Sequence, residues 1–292
     1  MLETTEKGGF RNSIKNCLTV FRYDPLLSGA VAKNLLTERT DMMKPIGHRR
    51  AFGKSMTDMD MKYIRLYLEE TYGLTSEKKI ADAADLAANE NSYHPIRDYL
   101  SRLTWDGTER IRFCLRRFLG AGADEYTHQA LRLFLLGAIH RVFSPGCKFE
   151  VMLCLVGGQG AGKSTFFRLL AVRDEWFSDD LRKLDDDNVY RKLQGHWIIE
   201  MSEMIATANA KSIEEIKSFL SRQKEVYKIP YETHPADRPR QCVFGGTSNA
   251  PDFLPLDRSG NRRFLPVMVN PEQAEVHILE DEAASRTYLE QV

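Results

Sequence analysis

The stretch Val151–Ala171, VMLCLVGGQGAGKSTFFRLLA, decides the fold. Its first six residues are an unbroken apolar run that stops at glycine, as expected of a strand buried on both faces. Gly157, Gly158, Gly160 and Gly162 let the chain take a tight, partly left-handed path, and an apolar helix is expected at once after them. The pattern is G-x-x-x-x-G-K-[ST]: Gly157, four residues including Gln159 and Ala161, then Gly162, Lys163 and Ser164, with Thr165 following. Backbone N–H groups of such a loop point into one concavity, and the helix start adds partial positive charge, which suits an anionic triphosphate. The expected ligands are ATP, with Lys163 at its β and γ phosphates, and Mg²⁺, which takes the Ser164 hydroxyl and keeps several waters.

At 292 residues the chain is long enough for roughly two domains. No apolar run is long enough to span a bilayer, and the polar start MLETTEKGGFRNS lacks the apolar segment of a secretory signal, so a cytoplasmic protein is expected. Five scattered cysteines without a C-x-x-C pair, and seven dispersed histidines, predict reduced thiols and no structural metal. Lys plus Arg equals Asp plus Glu at 41 each, which excludes a generally basic nucleic-acid binder but leaves room for a local positive channel.

Four regions are expected. Residues 1–90 read as a mostly helical accessory region: a strand-like run at Cys17–Tyr23, then a helix from Asp24 with Leu26, Leu27, Ala30, Val31 and Leu35 on one face, then helices at Asp58–Tyr72 and Lys79–Ala88. Residues 91–148 read as a helical layer on the nucleotide domain. It has a helix ending near Leu103, a turn at Asp106-Gly107, a helix capped by Thr108 with Glu109 in its first turn, and a long helix at Thr127–Phe143. Residues 149–270 form the core. Residues 271–292 read as an amphipathic helix that stops without a C-terminal glycine, as expected of a chain cut from something longer.

Within the core, Asp185-Asp186-Asp187 has no strand leading into it and reads as a solvated loop or helix start. His196–Glu200, HWIIE, is different: a short apolar strand that delivers a carboxylate, with Glu203 three residues on. A strand beside a phosphate loop commonly ends in an acid that binds the Mg²⁺ water shell, while a nearby acid polarises the attacking water; Glu200 and Glu203 fit the two jobs. Lys211–Arg222 is an amphipathic helix, and the segment after it reads as strand, Pro-containing turn and a strand at Gln241–Ser248. Asn249 at that strand's tip either holds the lytic water or γ phosphate or is a turn former. Arg262 and Arg263 follow a glycine turn and precede an apolar run; they either reach a neighbour's γ phosphate or make surface salt bridges.

The order of features, HPIRDYLSRLTWDG, GGQGAGKST, HWIIEMSEM, a strand pair, GGTSN and SGNRRF, resembles the virulence-associated protein E family over roughly residues 90–270. That family is found in prophages and genomic islands and is related to superfamily III helicases and phage primase-helicases. The resemblance implies an α/β, AAA-like P-loop ATPase core and a hexameric ring moving on single-stranded DNA. It also implies Lys163 and Ser164 as the Walker A pair, Glu200 and Glu203 for Walker B, Asn249 as the polar sensor, and Arg263, with Arg262 second, as the arginine finger. A hairpin before the sensor strand would line the pore and bring Lys228, His234 and Arg238 near DNA. Two departures stand out: relatives often carry an aspartate where this strand offers only glutamates, and no primase-like motif is visible in the first 90 residues.

The expected function is an ATP-dependent DNA helicase or translocase in the replication of a mobile element. Two other classes remain open. One is a nucleotide-gated scaffold or initiator with little hydrolysis, which would tolerate Glu203→Gln. The other is a small-molecule kinase, which the roughly 150 residues ahead of the loop disfavour.

Overall fold

The computed structural model describes residues 1–47, 54–181, 184, 189–202, 210–227, 236–249 and 261–292. The chain divides into two compact units, Met1–Arg102 and Leu103–Val292.

The first unit is built from α1 (Ile14–Tyr23), the hairpin β1 (Val31–Asn34) and β2 (Arg39–Met42), α2 (Asp58–Tyr72), α3 (Glu77–Glu90) and α4 (Pro95–Leu100). The run Cys17–Tyr23, expected as a strand, is the body of α1. Its buried residues Asn16, Cys17, Val20 and Phe21 recur at helical spacing, and Ser13 caps it by accepting from the Asn16 N–H. The helix expected from Asp24 is instead a turn closed by Gly29 at φ 65°, after which Val31 pairs with Met42. Helix α2 starts and stops where its signals lie: Thr57 and Asp60 form a capping box, and Gly73 closes the end in the left-handed region. The alanine face of α3 (Ala83, Ala84, Ala87, Ala88) is fully buried in the same cluster as Cys17, Val20 and Phe21. Asp24 is buried with its carboxylate shared among the Tyr67 and Tyr72 hydroxyls and the Leu26 and Leu27 N–H groups.

The second unit opens with α5 (Ile111–Leu119) and α6 (Glu125–Phe143). Helix α5 begins at Ile111, not after Thr108, so Glu109 lies outside it. The Asp106 carboxylate accepts from the Thr108 N–H at 2.9 Å and from the Arg110 fork at 2.8 and 2.6 Å, which holds this segment as a separate turn. Beyond α6 come β3 (Met152–Val156), α7 (Lys163–Leu170), β4 (Phe177–Ser178), α8 (Val189–Leu193), β5 (Ile198–Met201) and α9 (Ala210–Leu220). The chain finishes with β6 (Lys224–Tyr227), β7 (Ala236–Pro239), β8 (Val243–Ser248), β9 (Phe264–Met268) and α10 (Glu282–Leu289).

Five strands form one parallel sheet in the order β4-β5-β8-β3-β9, and β6 with β7 forms a separate antiparallel pair. Every residue of β3, β5 and β8 is buried, as a parallel sheet covered on both faces requires. Helix α6 is tied to the sheet through polar groups as well as its apolar stripe. Arg141, 1% exposed, donates to Cys242 O (3.0 Å) and Phe149 O (2.6 Å), and the Trp197 indole donates to Ala138 O (3.0 Å). Three further expectations are corrected in this unit. The strand expected from Gln241 begins at Val243. The residues ahead of it contribute a hairpin, β6–β7. The helix expected over 271–292 is confined to Glu282–Leu289, preceded by a single 3-10 turn at Pro271–Gln273 under an Asn270 cap. Asp185–Asp187 and Glu203 lie outside the described residues. The five cysteines are unpaired thiols, and no helix among the described residues is long and apolar enough to cross a membrane.

Candidate functional site

In an open parallel sheet, ligands bind beyond the carboxyl ends of the strands, at the crevice where the strand order reverses. Here β3 lies between β8 and β9, and the chain leaves β3 for the far edge at β4 before returning through β5 and β8. The loop 157–162 therefore starts at that crevice. Gly157 continues the ladder by donating to Ser248 O at 3.1 Å, and it lies so close to the next strand's end that a Cβ would meet Val269 O at 2.4 Å. Gly162 has φ +77°, which L side chains rarely adopt, and its Cβ would strike Ile278 at 2.2 Å. From Gly158 to Ser164 no backbone N–H donates to an acceptor among the described residues, and Gly158, Gln159 and Gly160 are exposed. These donors are left without a protein acceptor just where α7 begins, where Ala161 is buried and Thr165 half-buried.

Lys163 is the first residue of α7 and is 8% exposed. Its ammonium has three protons, and three acceptors surround it: Gly157 O and Gly158 O at 2.7 Å each, and Asn249 Oδ1 at 3.0 Å. Burial holds its pKa below the ordinary lysine value, partly offset by the charge of Glu200. Asn249, exposed at the tip of β8, is thus drawn to the loop by an 86-residue contact.

Glu200 sits on β5 and is fully buried. One carboxylate oxygen, Oε1, accepts from Ser164 Oγ at 2.8 Å and from Thr247 Oγ1 at 2.6 Å. Among the described residues no donor reaches the other, Oε2. Burial pushes the Glu200 pKa up, against the pull of the two hydroxyls. An orphaned carboxylate oxygen beside a serine hydroxyl is the donor set a hard, oxygen-seeking cation takes, so the residues present fit Mg²⁺, which Ser164 and Glu200 would hold. Thr247 was not singled out from the sequence, although it lies in the GGTSN run; its signal is the strand parity that sets it, two residues before Asn249, on the same side of β8.

The parallel ladder brings Lys163, Ser164, Glu200 and Asn249 together and keeps the arginines away. Phe264 pairs with Met152, the first residue of β3, whereas the loop follows Val156, the last. Arg263 therefore stands at the opposite end of the sheet, roughly 17 Å from the loop by strand rise. It pairs there with Glu150 at 3.3 Å; Arg262 is exposed beside it. Arg238 lies in β7 opposite Glu225, buried at 9% exposure, and burial lowers its pKa. Lys228 and His234 lie outside the described residues, in the span that joins β6 to β7. Beneath that hairpin the buried Arg240 bonds Glu225 (2.7 Å) and Phe219 O (2.6 Å), with its guanidinium over the Phe219 ring at 4.3 Å. Removing one partner of such a pair costs about 3–5 kcal/mol, so the hairpin base is firmly seated.

The orphaned oxygen has a consequence for stability. Because the folded chain holds the Glu200 proton to a higher pH than the unfolded chain does, stability without ligand falls as pH rises from the ordinary carboxylate pKa through the raised one. Glu200→Gln should raise the melting temperature at neutral pH by about 2–4 °C, from roughly 1 kcal/mol of relieved burial cost. For a site that takes Mg²⁺ with nucleotide, the substitution should also abolish the rise in melting temperature that the pair would give the wild type. A lower melting temperature with the Mg²⁺ response intact, read by differential scanning calorimetry, would remove Glu200 from the cation site.

Comparison with known proteins agrees with this geometry at the level of fold. Three apo structures of the NrS-1 C-terminal region are similar to this chain. One has 16% identity and TM-score 0.51 over 89% of this chain and 62% of that one. Another has 15% identity and TM-score 0.54 over 92% and 68%. A third has 16% identity and TM-score 0.53 over 94% and 66%. This chain thus spans about two thirds of their length. A comparison with curated proteins gives no match. The model of the virulence-associated protein E-like domain matches residues 100–288, well over half of the chain and including the loop, the segment that carries Glu200 and Glu203, and the arginine pair. The chain belongs to the virulence-associated protein E-like family.

Proposed function

We propose that the chain is a P-loop ATPase of the superfamily III type, an ATP-dependent helicase or translocase on single-stranded DNA that serves replication of a prophage or mobile element. The observation that carries this reading is the convergence of Lys163, Ser164, Glu200 and Asn249 at the carboxyl ends of β3, β5 and β8. In it, the N–H groups of residues 158–164 hold the phosphates of ATP, and Lys163 leaves Asn249 to neutralise the β and γ oxygens. Ser164 and Glu200 would hold Mg²⁺, which would supply charge neutralisation for the phosphates. Asn249, once released, is placed to orient the attacking water, and Glu203 polarises it. Arg263 cannot reach the loop of its own subunit across the length of β3, so as a finger it serves a neighbour's site, which supports a ring with ATP between subunits; six copies is the number the family resemblance implies.

The β6–β7 hairpin, clamped at its base by Arg240 and Glu225, is proposed to carry Lys228 and His234 into the pore against the DNA backbone. Backbone contact makes binding sequence-blind and salt-dependent. Anisotropy titration of a labelled thymidine oligonucleotide tests this: Lys228→Ala with His234→Ala should weaken binding about tenfold and flatten its salt dependence, while turnover without DNA persists. Affinity equal to wild type would separate the hairpin from DNA.

A further inference from the structure

The second unit holds a cavity of about 380 Å³ away from the groups described above, between the turn that precedes α5, the first turns of α6 and the chain's last two residues. Its volume is at the lower end of small-ligand sites, roughly 300–1,000 Å³, enough for one nucleotide unit. Trp105 forms one wall and is 78% exposed, whereas the other two tryptophans, Trp176 and Trp197, are 2% and 4% exposed. An exposed indole is usually mobile. This one is fixed: its Nε1–H donates to Thr108 O at 3.3 Å, the Thr108 N–H is held by Asp106, and the Arg110 fork locks Asp106 in turn. The Arg110 guanidinium holds the Asp106 carboxyl well below the usual carboxylate range, so the lock persists through the physiological pH span. The fold thus leaves a large aromatic face in water with its indole N–H engaged, where it contributes little to the core.

The rest of the lining mixes an apolar surface with charges of both signs. Ile111 gives an apolar surface, and Arg132 is exposed with a long hydrogen bond of 3.4 Å to Gln129. Glu109, the carboxylate on the same rim, is engaged by Arg112 at 3.4 Å. Stacking on an aromatic side chain tolerates every base, because each has a π-face, and a guanidinium beside it can take the phosphate.

We propose that Trp105 and this cavity form a nucleobase site, in which a base stacks on the indole and Arg132 takes the phosphate attached to it. It rests on the reading above for the class of ligand alone. The base can come from a DNA strand or from a free nucleotide, and the two are separable because Trp105 is the one exposed tryptophan of the chain.

Fluorescence of the wild-type chain is titrated with a thymidine oligonucleotide and, separately, with AMP. Affinity for the labelled oligonucleotide is measured by anisotropy on Trp105→Ala, Trp105→Phe and Arg132→Ala. The inference expects quenching of the exposed tryptophan by at least one ligand, which identifies the source of the base. If the oligonucleotide quenches, Trp105→Ala should weaken it about tenfold, Trp105→Phe should keep most of the affinity, and Arg132→Ala should fall between. If only AMP quenches, competition of AMP against a fluorescent nucleotide should show the same order. Oligonucleotide binding without quenching, lost through Lys228 and His234 but not through Trp105, overturns this site and leaves the hairpin reading standing. No binding of either ligand overturns both.

Discussion

Lys163→Ala should abolish nucleotide-dependent turnover, by on the order of 10²–10³-fold or more, while the chain stays folded. The loss follows from where the ammonium sits: 8% exposed at the first position of α7, with its protons directed at Gly157 O, Gly158 O and Asn249 Oδ1. In so dry a place a fixed positive charge is worth far more to a developing phosphate charge than in water, and removing one such donor typically costs that range. Folding should change little. The substitution leaves three acceptors unpaired, but it also removes a buried charge whose desolvation the fold otherwise bears. Steady-state phosphate release with circular dichroism on the same sample separates the two effects. A folded variant with normal turnover would show that the loop 157–164 is not the nucleotide site.

Arg263→Ala should keep ATP binding and lose about 10³-fold or more in turnover, the scale of an arginine finger. The parallel register sets the direction of that contact. Arg263 precedes the first residue of β9 and lies beside Glu150, the full length of β3 away from its own loop. Its loss should therefore be felt in the adjacent subunit. Mixed one to one with Glu203→Gln subunits, which keep the arginine but lack the acid, the two inactive proteins should together recover about a quarter of the wild-type rate. Random assortment pairs an intact acid with an intact arginine at one interface in four. Recovery near zero would mean that finger and acid act in one chain or that Arg263 does no more than hold Glu150.

The loop and its strand were legible because glycine spacing is local: the chain 157–164 needs little outside itself to take its path, and five apolar residues in sequence read directly as β3. Helix α2 was legible to the residue, since its capping box and terminal glycine are also local signals. Cys17–Tyr23 was not, because a short apolar run suits either period, and the contact that decides it is the packing of α1 on α3, some 60 residues on. The same holds for 271–292, where Ile278 lies under Gly162 and Arg286 reaches Val172 O and Asp174. Those long-range partners break a periodicity that the sequence alone makes look continuous. In the candidate site, Glu200 stood out because a carboxylate closing a short apolar run is anomalous, whereas Thr247 did not, since a threonine in a strand is ordinary. Its meaning comes only from the Glu200 oxygen it shares with Ser164.

The central claim, a shared ATP site in an assembled DNA motor, is tested most directly by steady-state ATP hydrolysis with and without single-stranded DNA across a series of protein concentrations. The account predicts turnover that rises more than linearly with protein and is further stimulated by DNA, because each site needs the arginine of a neighbour and the hairpin needs a strand to move. Turnover proportional to protein and indifferent to DNA would contradict it and point to a self-contained site within one chain.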